Sequence, residues 1–328
     1  MYMKKIRWGI VGPGVIANKF AQAIRNTDCA ELCAVASRTG ENGRAFAEKY
    51  NIEKVFVGYE EMAKSDAVDA VYISTPHPFH KPCAELFLNA GKHVLCEKPM
   101  CVNAEEARTL SECAKKNNVF LMEAMWTRFI PAIKAVRDIV GSGEIGDVRG
   151  ISADFCYASS PEEEAKLFIN EMAGGSLLDV GVYAIHFVSL FLSGTPEEIK
   201  ASAWLEFDVD SHMCVTMKYP GGAIASVSSA TRVEKPADAY IYGTKGRIYL
   251  PHFYGAQEFT VTVGECERTI KAPSLGDGFE EEIIEACRCI ESGKCESDIL
   301  PHSETIKMLE IMDEIRRMTG VVYPFDKK

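Results

Sequence analysis

The sequence has no C-x-x-C pair, no uninterrupted apolar stretch of the roughly 20 residues that a bilayer span needs, and little positive charge for its length. Each of these absences removes a class of function. The twelve cysteines are scattered, the tightest pair being Cys287 and Cys289. A zinc site or disulfide scaffold is therefore not expected, and no metal is predicted. Cys29, Cys33, Cys96 and Cys214 sit inside apolar patterns, where free cysteine behaves as a small buried hydrophobe. With 36 Lys and Arg against 47 Asp and Glu, net charge -11, the chain is a poor partner for nucleic acid. One anionic small molecule in a local basic pocket stays compatible with that balance. Lys4, Lys5 and Arg7 precede only a few apolar residues and then a glycine turn, too short a run for a secretory segment. The expectation is a cytoplasmic protein with no membrane or nucleic-acid partner.

What is present is a chain of 328 residues, 47% apolar and 25% charged, long enough for two domains. An apolar run over 6–11 ends in Gly12-Pro13-Gly14-Val15-Ile16-Ala17 and is followed by a helical pattern. This is G-x-G-x-x-A between a strand and a helix, a dinucleotide-binding turn. The first glycine allows the tight turn, the second lets the backbone approach a pyrophosphate, and the small third residue lets the helix pack on the sheet. The next strand, 32–36, ends in Ser37-Arg38-Thr39 where an acidic residue would bind the ribose of NAD. An arginine flanked by hydroxyls suits a 2′-phosphate, so NADP is favoured and NAD stays possible. The other reading has Arg38 stacking on adenine without discriminating phosphate. Thr75-Pro76-His77-Pro78-Phe79-His80 follows a further strand and should line the cofactor cleft. His77 and His80 read there as satisfied loop histidines rather than catalysts. Next comes His93-Val94-Leu95-Cys96-Glu97-Lys98-Pro99. A carboxylate and an ammonium thus stand at the end of a buried strand, where open parallel sheets bind ligands. The proline restricts Lys98 to extended geometry.

Past about residue 146 the pattern turns strand-like, with turn punctuation, through 270. The expected organisation is a doubly wound Rossmann domain over 1–122. A C-terminal α+β domain over 123–328 follows, with a large open, mostly antiparallel sheet; its final residues are allowed to return to the first domain. A helix over 177–192, apolar on nearly every side, should cover one face of that sheet. The other face, with Trp204 and Phe207, is expected to pair with a second copy of the chain. Within the apolar helix, Asp179 and Tyr183 are four apart and share a face. A carboxylate there is costly unless paired, and Lys98 is the expected partner. His186, one turn on, reads as a hydrogen-bonded core histidine. Glu123 and Arg128 fall near the cleft, Arg128 at cofactor or substrate oxygens. Arg232 and Glu234 are weaker polar candidates.

Together, G-x-G-x-x-A at Gly12 to Ala17, Glu97-Lys98-Pro99 and Asp179-x-Gly181-x-Tyr183 resemble the Gfo/Idh/MocA oxidoreductases. Met122-Glu123-Ala124-Met125-Trp126-Thr127-Arg128-Phe129 is similar to the dihydrodiol dehydrogenase and NADP-dependent xylose dehydrogenase branch. The resemblance spans essentially the whole chain. It implies bound NADP or NAD, a catalytic Lys98, an assisting Asp179, and a substrate wall of Trp126, Phe155 and Phe279. Where many sugar dehydrogenases carry histidine, this chain has Tyr183, so the proton donor or acceptor is expected to be phenolic. Free tyrosine and lysine both titrate near 10, and an adjacent ammonium would bring a phenol down. Whether Tyr183 or Lys98 takes the proton stays open. The implied reaction moves a hydride between nicotinamide and a secondary alcohol or hemiacetal carbon of a cyclic polyol, a pyranose or a trans-dihydrodiol. An NAD-retaining glycosidase and a non-catalytic NADP-binding regulator are the alternatives, and a homodimer through the open sheet is implied as well.

Overall fold

The computed structural model describes residues 5–326. The chain divides into two compact units: the residues through Trp126 together with Leu275–Ile306, and Thr127–Ser274 together with the residues from Lys307 on. A stretch inside the expected second domain thus packs with the first unit.

The first unit alternates strand and helix: β1 (Ile6–Val11), α1 (Val15–Ala23), β2 (Ala30–Ser37), α2 (Gly40–Tyr50), β3 (Lys54–Val57), α3 (Glu60–Lys64), β4 (Ala70–Ile73), α4 (His80–Asn89), β5 (His93–Glu97), α5 (Ala104–Asn117) and β6 (Leu121–Ala124). The six strands form one sheet in the order β3-β2-β1-β4-β5-β6, every neighbouring pair parallel. Strands β4 and β6 are buried along their whole length, as a sheet covered on both faces requires. Strand order reverses between β1 and β4, which marks the ligand crevice of such a sheet at their carboxyl ends. Helix α5 shows why these crossovers form. Ala104, Ala107, Leu110, Ser111 and Ala114 make its buried stripe, and the Asn103 side chain caps it by accepting the Glu106 N–H. The short edge strand β3 was not anticipated; four residues carry too little alternation to read.

In the second unit the order is α6 (Pro131–Gly141), β7 (Val148–Cys156), α7 (Pro161–Leu167), a π-helical turn at Leu177–Gly181, α8 (Val182–Ser189), then β8 (Glu198–Glu206), β9 (Val209–Lys218), β10 (Ile224–Ala230), β11 (Ala239–Gly243), β12 (Gly246–Leu250), β13 (Glu258–Val263) and β14 (Cys266–Lys271). They build an eight-stranded sheet, β14-β13-β12-β11-β7-β10-β9-β8. Only the β7–β10 pair within it is parallel. Helices α9 (Phe279–Glu291) and α10 (His302–Thr319) follow. The expected apolar helix exists, shortened and opened at its start into the π turn; residues Val182 to Val188 are all buried. By length and composition Asn170–Ser189 is apolar enough to cross a membrane, but 78% of the window is buried inside the protein, the mark of a core helix. Cys214 corrects the cysteine reading. Alternation along β9 turns Met213, Val215 and Met217 inward and leaves Cys214 exposed. Cys29 and Cys33 are half-buried, and Cys96 is buried as expected.

Candidate active site

In the first unit the glycine turn is closed by the Gly14 N–H donating to Gly12 O at 2.8 Å and is held to the neighbouring strands by backbone bonds. The Gly12 N–H donates to Ala36 O at 3.0 Å, and the Ser74 N–H to Val11 O at 3.0 Å. Gly12 has φ +85°, and a Cβ there would lie 2.9 Å from the Thr75 side chain and 3.2 Å from its backbone nitrogen, so only glycine makes this turn. Gly14 differs: a Cβ would find nothing nearer than 4.0 Å. The space above it is open, and α1 begins there with no side-chain cap on its first N–H groups. Val15, the first residue of α1, is 84% exposed; Ala17, by contrast, is buried in the sheet contact. Open room over a glycine and uncapped N–H groups at a helix start fit the pyrophosphate of a dinucleotide.

At the end of β2, Ser37 is buried while Arg38 and Thr39 are exposed. The Arg38 guanidinium lies over the Phe79 ring, 5.9 Å from its centroid. Arg44, four residues into α2, holds its guanidinium close to Gly40, where a Cβ would meet Nη1 at 2.9 Å. No motif had pointed to Arg44. In the loop after β4, Thr75 is buried, Pro76 exposed and His77 half-buried. His80, expected as a satisfied loop histidine, is instead the buried first residue of α4. Its ring nitrogens face Thr75 O at 2.7 Å and Pro99 O at 2.9 Å. Burial drives its pKa down to about 4.

Glu97 is buried at the end of β5, accepting from the Tyr72 phenol and from the Lys98 backbone N–H. Burial pushes its pKa up to about 7 against the pull of the Lys98 ammonium and the Tyr72 hydroxyl. The Lys98–Pro99 peptide is cis, and Lys98 is half-buried. Two more carboxyls stand in this unit's interior. Glu123 accepts from the Met100 N–H and the Thr305 hydroxyl, each at 3.0 Å. Glu282 on α9 has both oxygens buried without a hydrogen-bond partner, and burial pushes it well above the usual carboxylate range. Sequence spacing had singled out Glu123 but not Glu282. Trp126 and Phe279 stack here, centroids 5.5 Å apart and 23° between planes.

The second unit holds the other half of the predicted set. Asp179 lies in the π turn and Tyr183 in the first turn of α8, a wide turn of a kind frequent at functional sites. The start of that turn is anchored by buried Asp210, whose Oδ2 accepts from Ser176 Oγ and from the Leu177 N–H, both at 2.7 Å. Within this unit the Asp179 carboxylate accepts from the Tyr157 phenol at 2.9 Å. Tyr157 lies 22 residues before Asp179, a separation that carries no signal in the sequence. Phe155 packs on Tyr183, centroids 5.3 Å apart, and stacks on Tyr254 at 4.2 Å and 14°. Tyr254 also went unnoticed, because it sits in a short turn after β12 that carries no periodic signal. The predicted substrate aromatics therefore fall into two groups, Trp126 with Phe279 in the first unit and Phe155 with Tyr183 in the second, where Tyr254 joins them.

Arg128, expected at cofactor or substrate oxygens, is buried, with Nη1 3.0 Å from Ser189 Oγ and 3.2 Å from His186 Nδ1. His186 is thereby the hydrogen-bonded core histidine anticipated. Arg232, the weaker candidate, is tied to Glu164 and Glu206 and lies 4.4 Å over Phe168, which makes it a brace between surface segments.

Known proteins agree with this architecture. The family pattern described as "Oxidoreductase family, NAD-binding Rossmann fold" matches residues 6–125, and the "GFO/IDH/MocA C-terminal domain" matches 133–249. The trans-1,2-dihydrobenzene-1,2-diol dehydrogenase of Mus musculus is 38% identical over 335 residues, covering 98% of this chain and 99% of that protein. Among solved structures, a 3-ketoreductase from Actinomadura kijaniata in complex with TDP-benzene and NADP superposes with a TM-score of 0.85 at 26% identity, covering 96% of this chain and 98% of that one. An aldose-aldose oxidoreductase from Caulobacter crescentus, with a TM-score of 0.89 at 23% identity over 97% and 98% of the two chains, shares the fold. A parallel sheet with an uncapped glycine turn, an eight-stranded partner sheet and full-length relatives of this kind lead to one conclusion: the chain belongs to the Gfo/Idh/MocA oxidoreductase family and is an NAD(P)-dependent dehydrogenase acting on CH–OH groups.

Proposed function

We propose that the protein is an NADP-dependent dehydrogenase of cyclic vicinal diols, a trans-dihydrodiol or an aldopyranose, with Lys98, Tyr183 and Asp179 as its catalytic residues. The observation that carries the reading is the cluster in the second unit: a phenol, Tyr183, packed on the aromatic faces of Phe155 and beside Asp179 in an anchored turn. Flat aromatic faces suit the apolar side of a ring, while a phenol and a carboxylate suit its hydroxyls. Trp126 and Phe279 supply a further stacked pair for the same class of substrate. The full-length likeness to dihydrodiol dehydrogenases supports the dihydrodiol in particular.

A nicotinamide, when bound, would supply the hydride acceptor. The chain's own residues do the rest. Gly12, Gly14, Val15, Ile16 and Ala17 form the pyrophosphate turn, and Ser37, Arg38 and Thr39 receive the adenosine ribose and its 2′-phosphate, with Arg44 nearby. Thr75, Pro76, His77, His80, Glu97 and Trp126 shape the rest of the cofactor site in the first unit. Tyr183 Oη or Lys98 Nζ takes the hydroxyl proton as the carbon is oxidised, and Asp179 assists. Trp204, 70% exposed on β8, supports pairing with a second copy, which sedimentation equilibrium of wild type and Trp204→Glu tests; Phe207, expected on the same sheet face, lies instead in the turn between β8 and β9, 71% exposed.

The test of the chemistry is a panel of aldoses, inositols and trans-dihydrodiols followed at 340 nm with NADP and with NAD, on wild type, Tyr183→Phe and Lys98→Met. Both variants should lose turnover by two orders of magnitude or more, the range general acid–base catalysis supplies (about 10²–10⁴-fold), while still binding NADPH. Normal turnover by Tyr183→Phe removes the phenol from the mechanism.

A further inference from the structure

Strand β7 ends at Cys156, but the chain beyond it does not become loose. The Tyr157 N–H donates to Ala230 O at 3.0 Å and the Ser159 N–H to Thr231 O at 3.0 Å, and Ala158 bridges Arg232 in antiparallel fashion. The Ser159 hydroxyl adds a bond to Thr231 O at 2.6 Å. Tyr157 is therefore mounted on backbone stitched to the end of β10, not on a free loop. Its phenol reaches Asp179 Oδ2 at 2.9 Å. Burial, with the Asp179 charge next to it, pushes that phenol above the ordinary tyrosine range, so it donates and does not ionise at working pH. From the other side, the backbone of Asp179 is set by the π turn, which Asp210 anchors through Ser176 and Leu177. Ser176 Oγ also lies 2.9 Å from Ser229 Oγ on β10. The end of β10 thus supports both, through Ser229 the turn that carries the carboxylate and through Ala230 the backbone that carries the phenol.

We infer that Tyr157 is a positioning residue of the active site, holding one oxygen of Asp179 so that the carboxylate is presented in a single orientation. This rests on the proposed role of Asp179 and deepens it. A carboxylate that assists at a reacting centre through a turnover gains from losing its own rotation, because a positioned group spends less of the barrier on reorganisation. Tyr157 touches neither substrate nor cofactor in this scheme and acts only through Asp179.

A double-mutant cycle tests it: Tyr157→Phe, Asp179→Asn and the double variant, with the best substrate of the panel and NADP, alongside NADPH affinity and Tm. Phenylalanine keeps the ring and removes only the hydroxyl. The expected result is a roughly tenfold loss of kcat in Tyr157→Phe, with KM for NADP and Tm close to wild type. In the Asp179→Asn background the same change should cost nothing more, since coupled groups are non-additive. If Tyr157→Phe turns over at the wild-type rate while Asp179→Asn is impaired, the inference is overturned and the catalytic reading survives. Additive losses, or a fall in kcat that tracks a loss of folded protein, overturn it as well. Normal turnover by Asp179→Asn overturns both.

Discussion

Gly12 and Gly14 sit two residues apart in one motif, yet the structure assigns them separate jobs, and alanine at each should fail in a different assay. At Gly12 the φ of +85° belongs to the left-handed region, which costs an alanine about 1–2 kcal/mol. Its Cβ would also press on the Thr75 side chain at 2.9 Å and on backbone at 3.2 and 3.3 Å. Backbone cannot swing aside, so an overpacking cost of about 1–3 kcal/mol adds to the first. The sum, roughly 2–5 kcal/mol, is a large part of an ordinary domain's stability of about 5–15 kcal/mol. A loss of about 3 kcal/mol lowers Tm by roughly 6–12 °C for a unit of 150–250 residues. At Gly14 φ is -100°, extended backbone open to any residue, and the nearest atom stands 4.0 Å away. Gly14→Ala should therefore leave ligand-free stability within about 0.5 kcal/mol of wild type. It should cut NADPH affinity at least about tenfold, or 1.4 kcal/mol, because the methyl group fills the room the pyrophosphate needs. The assays are urea or thermal unfolding without cofactor, and NADPH titration by tryptophan quenching. If Gly14→Ala binds NADPH as tightly as wild type, or unfolds as easily as Gly12→Ala, the division of labour drawn from the geometry is wrong.

Three further outcomes follow from the same geometry. Arg38→Ser should weaken NADPH at least about tenfold, a charge-assisted phosphate bond being worth roughly 1.5–3 kcal/mol, and leave NADH nearly unchanged; equal losses for both would mean the guanidinium stacks rather than pairs. Burial raises Asp210 to about 6, partly offset by its bonds from Ser176 and Leu177. Its folded value then lies above the unfolded one near 3.9, so the folded state holds the extra proton between about pH 4 and 6 and stability falls as pH rises through that window. Asp210→Asn should remove that slope, and the difference from wild type in urea unfolding should grow by roughly 2–3 kcal/mol from pH 4 to pH 6. Arg232→Ala should leave kcat and KM unchanged in steady-state assays, since its guanidinium is engaged by Glu164, Glu206 and the Phe168 ring and by none of the proposed catalytic residues; a tenfold loss of kcat would return it to the active site.

What was legible in the sequence shares one property: it depends on spacing along the chain. A strand, a glycine turn and a helix in succession announce the pyrophosphate site within twelve residues, because turn geometry is a local demand on φ and on side-chain volume. Glu97-Lys98-Pro99 at a strand end and Asp179 four residues before Tyr183 are legible for the same reason. Partners across the fold were not. Tyr157 and Asp179 are 22 residues apart and Arg128 and His186 are 58 apart. The first pair meets because β7, which Tyr157 follows, lies beside β10 under the π turn that carries Asp179, and the second because the turn that ends at Arg128 comes back against α8. The stacking of Tyr254 on Phe155, and the return of Leu275–Ile306 to the first unit with Phe279 on it, are of the same kind. Residue types and their period decide which elements form and which faces are apolar. Which phenol reaches which carboxylate is decided by sheet register and chain return, and no period in the sequence carries that information.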